Sequence, residues 1–370
     1  MIEFKLPSLG ADMDEGKLLE WKVKPGDAVK RGDLVAVVET PKAAVDVEIW
    51  QDGVVHELIT KPGTTIPVGT VMARLLGEGE VQAAPAPAAK PAPAAAPTPT
   101  PPTRHPVSPA ARKHARELGV DVEKLPGSGP HGAVTVEDVE KAAKGAPSDK
   151  ALAMRKAIAA AMSRSKREIP HYYLSQTIPM QRAQDWLTAY NEKRPVTERV
   201  LMAALQLKAV ALALKDFPDL NGFWKDNAFQ PASGIHLGVA ISLRQGGLIA
   251  PAIHDVSERS LDELMKSLAD LVRRARAGSL RSSEMSDPTI TVTNLGDQGV
   301  DEVFAIIFPP QVAIVGFGRV APRPWAEDGM IGAVPAVVAS LAADHRVSDG
   351  HRGARFLAAI AARLQEPETL

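Results

Sequence analysis

His345 stands four positions ahead of the pair Asp349-Gly350, in the stretch Asp344-His345-Arg346-Val347-Ser348-Asp349-Gly350. An imidazole titrates near neutral pH, so a histidine held at the edge of a fold can take a proton from a substrate as general base. The spacing alone arises by chance in many proteins. Its setting is more telling, because an apolar run, Ala336–Leu341, precedes it and the helix-like Arg352–Leu364 follows. That places His345 at a strand end rather than inside a core. A second reactive group is Lys42, in Glu39-Thr40-Pro41-Lys42-Ala43-Ala44, whose amine could carry a covalent group. A third feature is a cationic cluster, Arg112, Lys113 and Arg116, within one short helix-like stretch. The 370 residues contain no cysteine, so thiol chemistry here requires thiols brought by a cofactor or a substrate.

The elements around Lys42 explain why it stands out. Residues 16–36 and 53–73 align at an offset of 37, with Gly16/Gly53, Glu20/Glu57, Lys24/Lys61, Pro25/Pro62, Gly26/Gly63, Gly32/Gly69 and Ala36/Ala73 identical. Each copy reads as short β-branched strands broken by a Pro-Gly turn, so two similar half-sheets should fold into a small β-sandwich. The link between the copies is a hairpin bounded by Leu34–Val38 and Val45–Ile49, and it exposes Lys42 between small neighbours. A lone surface lysine is ordinarily just solvated; the symmetric centre of a repeat singles this one out.

From Gly79 to Pro106 the chain is nearly all Ala, Pro and Thr, a composition that buries no core and favours extended polyproline geometry. These residues could reach about 80 Å. Beyond the tether, Ser108-Pro109 opens a helix closed by Gly119, and Thr135-Val136-Glu137-Asp138 opens a second. From residue 150 onward, the apolar helix Leu201–Phe217 and the amphipathic helix Ser260–Arg276 alternate with strand-like runs. These runs are Ile235–Ser242, Leu248–Ile253, Thr289–Thr293, Val312–Val315 and Ala336–Leu341, and the pattern predicts an α/β domain.

Segment by segment, the chain resembles the dihydrolipoamide acyltransferases of 2-oxo acid dehydrogenase complexes. Residues 1–77 resemble a lipoyl domain, with Pro41 where aspartate is usual. A biotin carrier is the competing reading, but no methionine flanks Lys42. After a linker at 78–104, residues 105–143 resemble a small all-α peripheral-subunit-binding domain, with Ala133 where the family has arginine. Residues 150–370 resemble a catalytic core of the chloramphenicol acetyltransferase fold. The likeness rests on Arg155-Lys156-Ala157-Ile158, Ile169-Pro170-His171-Tyr172, Asp219-Leu220-Asn221, Thr291-Val292-Thr293-Asn294-Leu295-Gly296 and Pro309-Pro310-Gln311 as well as the His345 motif. Phe308 replaces the usual asparagine.

The resemblance implies a lipoyl group on Lys42, coenzyme A as co-substrate, and acyl transfer between the two thiols. It implies His345 as base, Thr293 as donor to the developing oxyanion, and Asp349 as a structural group paired with Arg155. It also implies a trimer with the site between subunits. Arg112, Lys113 and Arg116 would dock the 2-oxo acid decarboxylase or dihydrolipoamide dehydrogenase. A non-catalytic scaffold that keeps only the lipoyl and docking units is the alternative, and the joint presence of His345, Asp349 and Thr293 argues against it. The residue pattern suggests no metal. A net charge of −1 gives no basis for nucleic-acid or anionic-membrane binding, and the N-terminus shows no targeting pattern. A cytoplasmic protein is expected.

Overall fold

The computed structural model describes residues 1–9, 13, 15–40, 44–76, 107–118, 122, 125, 127–130, 133–145, 149–243, 247–327 and 329–370. Lys42 and the 78–104 linker lie outside them.

The N-terminal part contains β1 (Ile2–Lys5), β2 (Glu15–Trp21), β3 (Ala28–Val29), β4 (Leu34–Glu39), β5 (Ala44–Glu48), β6 (Gly53–Leu58), β7 (Thr65–Pro67) and β8 (Val71–Leu76). The sequence repeat is visible in their pairing. One sheet runs β1-β8-β6-β3 and the other β5-β4-β2-β7, so each strand of one sheet has its counterpart in the other. Gly26 and Gly63 adopt φ of 98° and 88°, and Gly32 and Gly69 adopt 93° and 85°. These left-handed turns cost any L side chain about 1–2 kcal/mol, which is why both copies keep glycine there. Phe4, Leu6, Leu18, Val38, Val45, Met72 and Leu75 fill the space between the sheets. Glu39 pairs with Ala44, the last pair of β4 and β5 before the segment that carries Lys42.

Two helices, α1 (Pro109–Leu118) and α2 (Val136–Gly145), make the second unit. Ser108 Oγ accepts from Ala111 N at 3.1 Å, the expected N-cap ahead of Pro109. Asp138 accepts from the Ser128 hydroxyl and amide and from Thr135. These bonds, led by the Ser128 hydroxyl, hold its carboxyl well below the usual carboxylate range. Ala111, Ala115, Val134 and Val139 form the core. So small a core depends on such polar bracing.

The C-terminal part runs α3 (Asp149–Glu168), β9 (His171–Pro179), α4 (Gln181–Glu192), α5 (Met202–Leu214), β10 (Gly222–Lys225), β11 (Ala228–Pro231), β12 (Leu237–Val239), β13 (Ile241–Ser242), β14 (Leu248–Ile249) and β15 (Ala252–Ile253). It continues with α6 (Leu261–Ala277), β16 (Leu280–Arg281), α7 (Ser282–Ser286), β17 (Ile290–Asn294), β18 (Ala313–Phe317), β19 (Ala321–Glu327), β20 (Met330–Asp344) and α8 (Gly350–Gln365). The main sheet has the order β15-β12-β17-β18-β20-β19, with β9 also on β20. β12, β17 and β18 are parallel, and β20 runs antiparallel to β18.

α5 is buried almost all round, as a helix apolar on every face must be. α6 starts at a Ser260–Glu263 capping box and ends at Gly278. Side chains of α5, α6 and α8 meet those of β17, β18 and β20 in the central core. β20 is longer than the run Ala336–Leu341 suggests, because its exposed first half pairs with β19 as a hairpin while its buried second half lies between β18 and β9.

Candidate active site

His345 is the first residue after β20, and its amide donates to Pro170 O at 3.0 Å. The ring is exposed and meets Tyr172 edge-on at 5.3 Å between centroids. Neither ring nitrogen has a hydrogen-bond partner among the described residues, so both are open to a substrate. The Tyr172 hydroxyl shares a 2.8 Å hydrogen bond with Ser348, which joins the start of β9 to the turn after β20.

The turn is anchored from below. Asp344 is fully buried, and a buried carboxylate needs a partner to offset its lost hydration. Arg346 supplies it: Nε lies 2.9 and 3.1 Å from the two carboxylate oxygens, a terminal nitrogen 2.6 Å, and the Arg346 amide 3.0 Å. The guanidinium also stacks 4.4 Å from the Trp224 ring. Residue 345, between the two members of this ion pair, is thereby held with its side chain outward. Asp349 caps α8, accepting from Arg352 N at 2.8 Å. Arg352 grips Asp219 through two nitrogens at 2.7–3.0 Å.

Burial pushes the His171 imidazole below its ordinary pKa, and its contacts suit the neutral ring: Nδ1 donates to Ile169 O at 2.9 Å and Nε2 accepts from Ile307 N at 3.2 Å. This histidine is a strut beside the turn, not a second base. A cleft of about 1000 Å³ opens at Arg346, with Trp224, Phe308, Pro310, Gln311 and Leu248 among its walls.

Thr293 and Thr291 sit on one face of β17, and Thr289 just before the strand continues the same alternation. Thr289 donates to Asn221 at 2.6 Å and Thr291 to Gln311 at 2.7 Å. Thr293, 8% exposed, makes no side-chain hydrogen bond among the described residues. It is the hydroxyl of the three left free to donate.

Register fixes how far it stands from His345. Thr293 lies opposite Gly316, and Gly316 opposite Ser340. His345 is five residues beyond Ser340 and two strands across from Thr293. At about 3.3 Å per residue and about 4.8 Å per strand, the two backbone positions in one chain are about 19 Å apart, more than the two side chains can span. They cannot both touch one carbonyl, which requires each within about 3 Å.

Comparison with known proteins decides the family. The catalytic domain of 2-oxoacid dehydrogenases acyltransferases matches residues 147–370, the biotin/lipoyl ("biotin-requiring enzyme") domain residues 2–75, and an e3 binding domain residues 106–140. The dihydrolipoyllysine-residue acetyltransferase of the pyruvate dehydrogenase complex of Rhizobium meliloti is 32% identical over 99% of this chain and 98% of its own length. The chain belongs to the 2-oxoacid dehydrogenase acyltransferase family.

Among solved structures, a probable dihydrolipoamide acetyltransferase from Listeria monocytogenes matches with 32% identity and a TM-score of 0.55, covering 58% of this chain and 92% of that one. The Azotobacter vinelandii dihydrolipoamide acetyltransferase matches with 26% identity and a TM-score of 0.55, over 58% and 90%. The family is one of acyltransferases that carry a covalent lipoyl group and pass acyl groups to coenzyme A within a multienzyme complex, and this member has the lipoyl-type and binding domains for it. The carrier fold suits the group, since the two repeat halves pair as two matched sheets and β4 and β5, the strands on either side of Lys42, are neighbours in one of them.

The structure brings some of the acyltransferase's expected residues together and not others. His345 and Asp349 share one turn, but the Asp349 carboxylate is engaged with the backbone of α8. Arg155 is exposed on α3, and no hydrogen bond or ion pair joins it to Asp349. The expected Asp349–Arg155 pairing is therefore not formed within the chain; Asp349 is satisfied locally, and Arg352 in the first turn of α8 faces Asp219. Arg112 and Lys113 are exposed on α1, the helix that also carries Arg116. The sequence reading missed the Asp344–Arg346–Trp224 anchor and the Tyr172–Ser348 bond. A charged residue ending an apolar run, as Asp344 does, was the available signal. Among the described residues no helix is long and apolar enough to cross a membrane, and no cluster suited to a metal ion is present.

Proposed function

We propose that this acyltransferase moves a short acyl group from a lipoyl group on Lys42 to coenzyme A, at a site made of His345 from one chain and Thr293 from its neighbour in a trimer. The observation that carries it is the pair of free groups, an open imidazole and an unpaired hydroxyl, on backbone positions about 19 Å apart within a chain. This separation supports a reading in which each group is a half-site and a second copy supplies the other half.

When bound, the lipoyl dithiol supplies the acyl thioester. His345 takes the proton of the incoming coenzyme A thiol, whose ordinary pKa of about 8.5 lies close enough to imidazole for efficient transfer, and returns it to the sulfur that leaves as the original acyl–sulfur bond breaks and the new one forms. The Thr293 hydroxyl donates to the acyl oxygen as charge develops there, which accounts for about 10²- to 10³-fold in rate. Asp349 and Arg346 hold the His345 turn. Arg155 has no assigned part within the chain.

The domains follow the segments 1–77, 105–143 and 150–370, with 78–104 as tether. Arg112, Lys113 and Arg116 dock an acidic face of the decarboxylase or of dihydrolipoamide dehydrogenase, in a cytoplasmic complex. Acetyl is the favoured acyl group, since several relatives at 28–32% identity are named acetyltransferases of pyruvate dehydrogenase complexes.

The test is intact mass together with turnover. Protein from its native host should carry a lipoyl adduct that Lys42→Arg removes, with loss of complex turnover but retention of transfer to free dihydrolipoamide. A biotin adduct, or turnover by Lys42→Arg, contradicts the reading.

A further inference from the structure

Strand β5 is the edge of its sheet within the N-terminal domain, where only β4 is its neighbour. A bare sheet edge presents unpaired N–H and C=O groups and readily accepts another strand. Here it has accepted one from the catalytic part. Val45 and Asp46 pair in parallel with Leu280 and Arg281 of β16. Just beyond, Glu48 N donates to Ser282 Oγ at 3.0 Å, and Ser283 N donates to the Glu48 carboxylate at 3.2 Å. Met285 of α7 packs against the cores of both domains.

The receiving segment is braced from behind. Glu284 is 7% exposed and accepts from Arg274 at 2.5 Å and from Arg281 N at 2.8 Å, while Arg274 also binds Asp270. The turn that offers the Ser283 amide and the Ser282 hydroxyl is thus held by an ion pair and a backbone bond that lie wholly within the catalytic part. Ser8 of the N-terminal domain lies on the wall of the same 1000 Å³ cleft that Arg346 and Met285 line.

We propose that residues 280–286 are a docking surface for the carrier domain of the same chain, which adds β5 as a strand and anchors Glu48 on the Ser282–Ser283 turn. Docking brings the carrier to the cleft beside the His345 turn. The idea rests on reading residues 1–77 as the carrier and 150–370 as the acyltransferase. Among the described residues, two strand residue pairs and two polar contacts make a small interface, as a carrier that must leave again requires.

The absence of cysteine allows a clean test on the full-length chain. Paired strands lie about 4.8 Å apart, within the Cα separation a disulfide accepts. Asp46→Cys combined with Arg281→Cys should cross-link within one chain under mild oxidant. The control pair, exposed Lys30→Cys with Arg281→Cys, should cross-link at least about tenfold more slowly. Adding Glu48→Lys should slow the first pair about tenfold through loss of its charge-assisted bond. Equal rates for the two pairs, cross-links only between chains, or no effect of Glu48→Lys would overturn the proposal. The assay reads no catalysis, so its failure leaves the acyltransferase reading standing, and an inactive enzyme leaves the docking result standing.

Discussion

The Asp344–Arg346 pair shows how a single buried charge can aim its neighbour. Asp344 ends a strand buried on both faces and has no access to water, while Arg346 is partly exposed and stacked on Trp224. Removing the cation leaves an uncompensated carboxylate inside the fold, a defect that costs about 3–5 kcal/mol when such pairs are broken. Arg346→Met, similar in length and apolar, should therefore lower stability in urea unfolding by about 3 kcal/mol or more, and activity with it because His345 loses its seat. A stability loss under 1 kcal/mol would mean that Asp344 finds another partner. At this scale the sequence named His345, Thr293 and Lys42 from their motifs, but motifs do not display hydrogen bonds. That Thr293 alone of its row has a free hydroxyl depends on Asn221 and Gln311, which lie 68 and 20 positions from the threonines they satisfy.

Elements were legible where their pattern is local. The carrier's strands follow from a repeat whose glycines sit at matched left-handed turns, and α6 follows from its cap and amphipathic face. The exposed half of β20 was not legible, because its pairing with β19 depends on a hairpin with Gly329 at φ 77° rather than on an apolar run. Nor were β9 and its register on β20, which alternates partly buried and exposed residues and sets Tyr172 against His345. Asp349 belongs to this scale too: in the chain it is an N-cap. Asp349→Ala should destabilise the protein by about 1 kcal/mol, the usual value of a cap, as measured by denaturant midpoint at constant slope. Restoration of most of that stability by Asp349→Asn or Asp349→Ser, both good caps, would separate capping from any charge relay. If Asn and Ser fail as badly as Ala, the carboxylate has a further partner.

For the whole molecule, the register of β17, β18 and β20 is the decisive fact, because it sets Thr293 and His345 about 19 Å apart in one chain. A reaction that needs both groups at one carbonyl must then be assembled from two copies. The direct measurement is complementation. His345→Ala removes the proposed base and should cut kcat by about 10²- to 10⁴-fold, while Thr293→Val removes the proposed donor and should cut it by about 10²- to 10³-fold. Each variant alone has every site damaged. Trimers assembled from a mixture of the two contain interfaces that unite an intact Thr293 from one chain with an intact His345 from the next. Transfer of acetyl from acetyl-dihydrolipoamide to coenzyme A should therefore recover to a substantial fraction of wild-type activity per intact interface. Verified mixed trimers that remain as slow as the separate variants would place both groups in one subunit and contradict the shared site.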